Sequence, residues 1–360
     1  MDKILVVIIS LIVANLISAS GTKELTIDEI VESYKADSSL WIKPHLSEGV
    51  EFREIEALPQ TPPYPTHNPY SKEKAELGEN LFNDPKLSAS NQIACANCHD
   101  EQLGFSDGRS VSYGHDRQKG RRNSPSITMS AFGVEKFWDG RAKNLEAQAI
   151  MPIADPKEMA YDATKAAKKL NKIQSYKEAF KGAFGTSEIT KELIGKAIAT
   201  YERGTMRHTK FDRFMRGNKN AMNEKEIYGM HLFRTKARCI NCHNGVEFSD
   251  NKYHNLGLHF YGREKYEDLG RYEVSKNIAD VGAFKTPSLR GVSKSAPYMH
   301  NGLFPHLSGV IHAYNAGMAN PTPKNDKIYN PPFPQTSHLL QKLNLSKDEM
   351  EALEAFLRAL

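Results

Sequence analysis

The sequence predicts a mainly α-helical protein built from two similar halves. Apolar residues recur at helical spacing in several segments, strand-like runs are few, and Asn223 with Glu226 forms a capping-box pattern at the start of one predicted helix. Short motifs also occur twice in the same order. A Gly-x-x-Leu-Phe run at 78–82 and at 229–233 is followed in each half by Phe-Ser-Asp, at 105–107 and at 248–250. This order indicates an internal duplication.

The first residues have the pattern of a secretory signal. Residues Ile4 to Ile17 are almost wholly apolar and run into the small residues 18–21, so we expect a signal peptide over 1–20. The apolar stretch is short for a membrane span, which leaves a retained anchor as the alternative. A periplasmic protein is therefore expected, with residues 21–69 as an N-terminal extension.

The composition is that of a globular protein without a nucleic-acid partner. The chain has 360 residues, of which 39% are hydrophobic and 25% charged, and its net charge is +5. One local basic run, Lys119, Arg121 and Arg122, is typical of a solvated face, and no nucleic-acid motif accompanies it. A mildly basic surface would instead steer a small acidic partner protein.

The four cysteines carry the strongest signal. Every one lies in a Cys-x-x-Cys-His unit, and the two units are Cys95, Cys98 and His99, and Cys239, Cys242 and His243. This unit is the attachment signal of c-type haem, in which the thiols bind the haem covalently and the adjacent histidine ligates the iron. Two disulfides, a zinc site and a redox-active dithiol are the alternatives. Two complete units with no cysteine left over favour two covalent haems.

Each half is thus expected to be a cytochrome c-like haem domain, with a boundary near residues 205–222. Towards the end of the chain, Ser346 and Glu349 form a second capping-box pattern ahead of an apolar stripe at helical period. The stripe consists of Met350, Leu353, Phe356, Leu357 and Leu360. It is predicted to be core.

The segment between the two haem units carries further motifs. They are Phe-Trp-Asp-Gly-Arg-Ala at 137–142, Leu-Glu-Ala-Gln-Ala at 145–149, Pro152, and Glu-Met at 158–159. From about residue 70 to its end, the chain resembles the bacterial di-haem cytochrome c peroxidase and MauG family in motif order and spacing. The resemblance implies a peroxidatic haem domain over 70–210 and an electron-transfer haem domain over 211–360.

The resemblance also implies roles for three residues beside the first haem. Trp138 matches a tryptophan that passes electrons between the haems, although a large aromatic residue is more often simply core. Gln148 and Glu158 match the distal pair of the peroxidatic haem. Beside an open iron a carboxylate can move a proton between the peroxide oxygens, and an amide can orient bound peroxide. Without the resemblance, each would be assigned to the surface.

Two further sets of ligands follow from the resemblance alone. His115 matches a histidine that caps the peroxidatic iron in the oxidised state and leaves it when the other haem is reduced, although a histidine in a Gly-flanked loop is more often merely exposed. Calcium is expected between the domains, bound by the Asn123 side chain and by the carbonyls of Ser295 and Pro297, which are hard oxygen donors. An asparagine in a turn is the alternative for Asn123.

The sequence departs from the peroxidase pattern at the second haem. Where high-potential members have a methionine ligand, this chain has Tyr314, as MauG-like members do. A phenolate stabilises oxidised iron more than a thioether does, so a tyrosine ligand would lower the potential. Met318 is the alternative ligand, but Asn315 and Gly317 disfavour a continuous helix that reaches it.

Three functions stay open at this stage. The first is reduction of hydrogen peroxide with electrons from a small cytochrome c or copper protein, which His115 favours. The second is a MauG-like oxidase that modifies a partner protein, which Tyr314 favours. The third is a plain di-haem electron carrier, against which Gln148 and Glu158 argue, because a carrier gains nothing from a prepared distal pocket. The site residues favour the peroxidase. The oligomeric state is open, a homodimer included.

Overall fold

The computed structural model describes residues 25–324 and 327–360, so the predicted signal peptide over 1–20 lies outside the described residues. The chain divides into two compact units, Met1–Ile42 and Lys43–Leu360. The described residues form eleven α-helices and two three-residue strands, which confirms the mainly helical prediction. None of the helices described is long and apolar enough to cross a membrane.

The described part of the first unit contains one α-helix, α1 (Ile27–Lys35). Thr26 caps it, because the Thr26 side chain accepts from the Glu29 main chain and the Glu29 carboxylate accepts from Thr26. After the helix the chain turns back on it, and the rings of Tyr34 and Trp41 lie 5.2 Å apart. This aromatic contact joins the helix to the segment that follows.

Five helices form the first half of the larger unit. They are α2 (Lys72–Asn83), α3 (Leu145–Ala154), α4 (Ala163–Leu170), α5 (Gln174–Phe184) and α6 (Lys191–Arg203). Helix α2 crosses α6 so closely that a Cβ atom added to Gly78 would lie 2.0 Å from the main-chain oxygen of Ala197. The glycine of the repeated Gly-x-x-Leu-Phe motif thus allows two helix backbones to touch.

The second half contains a similar close helix contact. Its helices are α7 (Lys210–Met215), α8 (Glu224–Arg234), α9 (Tyr272–Ser275), α10 (Leu307–Asn315) and α11 (Lys347–Ala359). Gly229 on α8 faces α11, and an added Cβ atom would lie 1.9 Å from Ala352 O. Both predicted capping boxes, at Asn223 and Ser346, are present. The two halves therefore use the same glycine contact between helices.

The predicted core stripe of α11 packs into an aromatic cluster. Phe356 contacts the rings of Phe211, Phe233 and Phe248, with centroids between 5.3 and 6.2 Å away, and all four side chains are fully buried. Such edge-to-face contacts are worth about 0.5–1.5 kcal/mol each beyond the burial of apolar area. Leu353, Leu357 and Leu360 are buried beside them, which confirms the stripe as core except at Met350, which is half-buried.

A short two-stranded sheet links the second half to the segment that carries Trp138. Strands β1 (Tyr253–Asn255) and β2 (Ala283–Lys285) are antiparallel, with Tyr253 opposite Lys285. The Lys285 main-chain N–H donates to Trp138 O at 2.8 Å. The sheet therefore holds the turn around Trp138 against the second half.

The segment 43–58, here called the N-terminal arm, contacts both halves: Leu58 packs with Met129 and Met206 of the first half, and residues nearer its start bond the second half. Ser47 N donates to Asn241 Oδ1 at 2.7 Å, and Glu54 forms an ion pair with the buried Arg234. The sequence contains no local pattern that indicates these contacts. The domain boundary near 205–222 stays a prediction.

Candidate functional site

The first Cys-x-x-Cys-His unit presents a histidine whose orientation is set by a main-chain oxygen. Cys95–Asn97 form one 3₁₀ turn, and His99 Nδ1 lies 3.1 Å from Phe105 O. Burial lowers the pKa of His99, so the ring is neutral, the form that binds metal. With Nδ1 as the donor to this oxygen, Nε2 is left as the nitrogen for a metal.

The second unit repeats this geometry. Cys239–Asn241 form the 3₁₀ turn, and His243 Nδ1 lies 2.9 Å from Phe248 O. Phe105 and Phe248 both have positive φ angles, 57° and 54°, which are uncommon for residues with a side chain. The repeated Phe-Ser-Asp motif thus supplies the carbonyl that holds the histidine, a role that the sequence analysis missed.

Cys95, Cys98 and His99 of the first unit line one cavity of about 490 Å³. All four cysteines are free thiols, so the disulfide alternative is not supported. The cavity wall brings together residues that are far apart in the sequence, namely Cys95, Cys98, His99, Asn123, Trp138, Gln148 and Glu158. The predicted distal pair and the first haem-attachment unit therefore share one chamber.

Helix α3 carries Gln148 into this chamber. The Asn144 side chain caps the helix by accepting from Ala147 N at 2.8 Å. One turn later, the buried Gln148 Oε1 has no hydrogen-bond partner among the described residues. A buried amide oxygen without a donor is costly, which points to a bound group that would supply one.

Glu158 follows the end of α3 in a tight turn. Burial and the neighbouring Asp155 carboxylate raise the pKa of Glu158, although Arg141 acts in the opposite direction. The side chain lines the cavity, while the main-chain oxygen accepts from His115 N at 2.8 Å. Glu158 therefore keeps a proton to higher pH than an exposed glutamate does.

The Trp138 indole forms part of the cavity wall and is fixed by hydrogen bonds. Its Nε1 donates to Asn123 O at 2.9 Å. The ring of His300 lies edge-on to the indole, with centroids 6.4 Å apart, and Phe284 stacks on His300 at 3.5 Å. The indole is thus held in a single orientation between the two halves of the larger unit.

His115 lies beside the cavity but does not line it. Gly114 does line it, and its main chain approaches the 157–158 segment so closely that an added Cβ atom would lie 2.2 Å from Lys157 O. Asp116 and Arg117 have positive φ angles of 51° and 57°. His115 Nδ1 is buried and has no partner among the described residues. The structure thus does not bring this histidine into the chamber.

The three predicted calcium ligands lie on two neighbouring segments. The main-chain N–H of Asn123 donates to His300 O at 2.7 Å, and its side-chain amide donates to Arg109 O at 2.9 Å. Ser295 and Pro297 precede His300 on the same segment, and the Ser295 hydroxyl donates to Val292 O at 3.3 Å. The asparagine is buried, and calcium binding stays a prediction.

Tyr314 lies near the end of α10 and is close to the second haem-attachment unit. Burial raises the pKa of Tyr314, and the nearby thiols of Cys242 and Cys239 raise it further. Met318 lies beyond the end of the helix, with a φ of 63°. The helix therefore does not continue to the alternative ligand.

Comparisons with known proteins agree with this geometry. Residues 72–220 match the model of the di-haem cytochrome c peroxidase family. Cytochrome c551 peroxidase of Nitrosomonas europaea is 40% identical over 65% of this chain and 70% of that protein. The chain belongs to the di-haem cytochrome c peroxidase and MauG family.

Relatives of both kinds occur among the similar proteins. The methylamine utilization protein MauG of Methylophilus methylotrophus is 35% identical over 86% of this chain and 88% of its own. A solved MauG-like protein associated with microbial copper homeostasis is 30% identical, with a TM-score of 0.74 over 84% of this chain and 94% of that one. Membership of the family therefore does not by itself separate a peroxidase from a MauG-like oxidase.

In this family member, the sequence analysis missed an ion-pair network beside Trp138. The Arg122 side chain is only 9% exposed, not solvated as its basic run indicated, and it pairs with Asp139 and, at 2.7 Å, with Asp268. Arg121 pairs with Glu273. The acidic partners lie far along the chain, so no local signal could have identified them.

A second missed pair lies beside the other attachment unit. His254 Nε2 lies 2.8 Å from Asp250 Oδ2, and the two cluster with the Cys242 thiol. The hydrogen bond to Asp250 outweighs burial and raises the pKa of His254 to about 10. The Asp of the second Phe-Ser-Asp motif was the only available signal, because its four-residue spacing from His254 is typical of a helix and this segment is not helical.

Proposed function

We propose that this chain is a di-haem peroxidase that reduces hydrogen peroxide to water with electrons from a small cytochrome c or a copper protein. One observation carries the proposal: Gln148 and Glu158 face the same chamber as Cys95, Cys98 and His99. A carrier of electrons needs haem attachment but no buried carboxyl and amide beside the iron. The family membership supports the same activity.

Two covalent haems fit the residues present. Cys95 and Cys98 would hold the first haem, with His99 as a ligand of its iron, and 239–243 would hold the second in the same way. The histidines support this, because each has one ring nitrogen engaged by a main-chain oxygen and the other left over. Bound haem would supply iron centres that take up electrons and bind peroxide.

Glu158 and Gln148 divide the proton chemistry between them. Reducing one peroxide molecule consumes two electrons and two protons and yields two water molecules. Glu158, whose pKa lies above that of an ordinary glutamate, would accept a proton from one peroxide oxygen and return it to the other. Gln148 Oε1, buried and without a donor among the described residues, would accept a hydrogen bond from the peroxide and so orient it.

The electron path and its gate follow from the arrangement of the halves. In the proposed architecture, residues 70–210 are the peroxidatic domain and 211–360 the electron-transfer domain, with the fixed indole of Trp138 between them. His115 would be the residue of this loop able to ligate the first iron in the oxidised protein, and reduction of the other haem would release it. The strained loop at 116–117 supports such a movement, because positive φ angles at non-glycine residues mark a conformation of raised energy.

The remaining proposals concern the ions, the second haem and the location. Asn123, with the carbonyls of Ser295 and Pro297, would bind calcium, which would also hold the main-chain oxygen that accepts the Trp138 indole. Tyr314 would be the second ligand of the other haem. A predicted signal peptide supports export to the periplasm.

A MauG-like oxidase of a partner protein is the second candidate. Tyr314 favours it, because a tyrosine ligand lowers the potential of the haem iron and so stabilises oxidised states. The His115 loop favours the peroxidase. A MauG-like oxidase would have an open first iron and would need no histidine to cap it.

The decisive experiment is stopped-flow turnover of peroxide with reduced small cytochrome c. Fully oxidised protein is compared with protein that has first received one electron equivalent. A peroxidase oxidises the cytochrome catalytically and is faster after reduction, whereas protein that consumes peroxide without oxidising the cytochrome contradicts the proposal. Mass spectrometry after acid–acetone extraction must show two retained haems, and Cys239→Ala should weaken attachment at the second site only.

A further inference from the structure

A tyrosine–carboxylate pair lies beside the turn that carries Trp138. The Tyr253 hydroxyl donates to Glu135 Oε2 at 2.5 Å. A guanidinium nitrogen of Arg271 lies 3.1 Å from the other oxygen of that carboxylate, and the guanidinium carbon lies 4.4 Å from the centroid of the Tyr253 ring. The Glu135 carboxylate is therefore held in one orientation, with one of its oxygens accepting the hydrogen bond from the Tyr253 hydroxyl.

The phenol packs directly on the Trp138 turn. A Cβ atom added to Gly140 would lie 1.8 Å from the Tyr253 hydroxyl oxygen, so only glycine permits this approach. Lys285 sits opposite Tyr253 in the sheet and donates its main-chain N–H to Trp138 O. Glu135 and Lys285 both line the chamber that also contains the first haem-attachment unit. The phenol is therefore joined to the turn that carries the indole by direct packing on Gly140 and by the main-chain hydrogen bond of its strand partner.

The Glu135 carboxylate provides the proton acceptor that one-electron oxidation of the Tyr253 phenol requires. An oxidised phenol is a strong acid, so an electron leaves easily only if the proton can move at the same time to a base already in contact. Burial and the hydrogen bond to Glu135 raise the pKa of Tyr253, so the phenol stays protonated until an electron is removed. The Glu135 side chain is 38% exposed, which lets the proton exchange with water.

We propose that Tyr253 is a redox-active residue that supplies an electron to the peroxide-oxidised haem pair, through Trp138, when the external donor is exhausted. The proposal rests on the proposed function, because hydrogen peroxide is the oxidant. Peroxide takes up two protons from solvent and two electrons; the haem pair provides one of these electrons and Tyr253 the other. Its O–H bond breaks, the proton binds Glu135, and a neutral tyrosyl radical remains. An electron from the donor and the proton from Glu135 later restore the phenol.

The chain contains a matched control. The Tyr176 hydroxyl also donates to a carboxylate, that of Asp84, but Tyr176 packs against the core of the first half. Neither residue is among the described residues that line the chamber. If a carboxylate partner were enough, Tyr176 would serve equally well. The position beside Trp138 therefore makes the proposal specific for Tyr253.

The test is electron paramagnetic resonance on full-length protein with both haems, freeze-quenched after mixing with excess hydrogen peroxide and no donor. We expect an organic radical signal that narrows when the protein contains ring-deuterated tyrosine. Tyr253→Phe should abolish this signal, Glu135→Gln should reduce it, and Tyr176→Phe should leave it unchanged. In wild-type protein, a spin trap should form its adduct on the peptide that contains Tyr253, which tests the assignment without a substitution.

The other outcomes separate this proposal from the proposed function. A tyrosine signal that survives in Tyr253→Phe, or a spin-trap adduct confined to other tyrosines, overturns the assignment. Normal turnover with donor but no tyrosine radical without it overturns the assignment and leaves the peroxidase intact. If peroxide changes neither haem spectrum, the peroxidase proposal fails, and the redox role of Tyr253 fails with it.

Discussion

Trp138 donates its indole N–H to the main-chain oxygen of Asn123 at 2.9 Å, so the proposed electron path and the proposed calcium site share one residue. The main-chain N–H of Asn123 in turn donates to His300 O at 2.7 Å. An ion bound to the Asn123 side chain would restrict the carbonyl that orients the indole. Calcium would thereby act on electron transfer without contacting a haem.

Removal of calcium is accordingly expected to slow electron transfer between the haems. Trp138→Phe, which cannot donate to Asn123 O, should slow the same step whether or not calcium is present. Both effects are measured as the rate of internal electron transfer after rapid one-electron reduction of the oxidised protein. A chelator that slows wild-type protein and Trp138→Phe by equal factors would show that calcium acts elsewhere.

Glu158→Gln should lower peroxide turnover by on the order of a hundredfold or more, because the amide cannot carry the peroxide proton. Both haem spectra should stay unchanged. In wild-type protein the pKa of Glu158 lies above the ordinary value for a glutamate, and its carboxylate form is the base. The turnover rate should therefore fall as pH falls through this raised pKa. The pH–rate profile of Glu158→Gln should lack this decrease. Unchanged turnover would assign Glu158 to structure.

Replacing His115 by Gly should make fully oxidised protein react with peroxide without a lag, because the proposed cap on the first iron would be missing. Arg117→Gly is the matched control, since it relieves a positive φ angle in the same loop but keeps the imidazole. The measurement is the stopped-flow lag before and after one-electron reduction. If both variants lose the lag equally, loop mobility and not ligation by His115 controls access.

Tyr314→Met should raise the potential of the second haem, because a neutral thioether favours ferrous iron relative to an anionic phenolate. Met318→Leu should leave the potential unchanged, since Met318 lies outside α10. A spectroelectrochemical titration reports both potentials. A shift in Met318→Leu alone would transfer the ligand role to that methionine.

Gly229→Ala should destabilise the protein by about 1–3 kcal/mol, because the new methyl group would lie 1.9 Å from Ala352 O and would push α8 from α11. Gly182→Ala is the control, since Gly182 lies within α5 and an added Cβ meets nothing within 4 Å. That variant should be neutral or stabilised by roughly 0.5–1 kcal/mol. Thermal unfolding of the protein with both haems gives both values. Equal melting temperatures would contradict the close helix crossing.

Much of the site was predictable because its chemistry is written in short local patterns. The two Cys-x-x-Cys-His units and the α8 and α11 capping boxes each depend on residues a few positions apart. The shared chamber of Gln148 and Glu158 was expected only through the family resemblance. The main-chain oxygens of Phe105 and Phe248, which orient the two histidines, could not be predicted. Their direction depends on a positive φ angle, which the identity of a phenylalanine does not indicate.

Long-range electrostatics were beyond the sequence for a different reason. Arg122 looks like one member of a solvated basic run, yet its partner Asp268 lies on a segment that only the fold brings near. The same holds for Glu135, which meets Tyr253 across 118 positions. The sequence gives the charges of these side chains but not their ion-pair partners. Because charged side chains are rarely buried unless they are paired, the sequence does not show which of them are buried.

The contact of the N-terminal arm with the second half imposes an order on synthesis. The ion pair of Glu54 with Arg234 spans 180 positions, so this ion pair cannot form until α8 has been made. The core of the first half, from Leu77 to Ile198, needs no such partner and can close around its haem earlier. A nascent chain that stops ahead of Arg234 would consequently contain every residue of the first core but lack the ion-pair partner of Glu54.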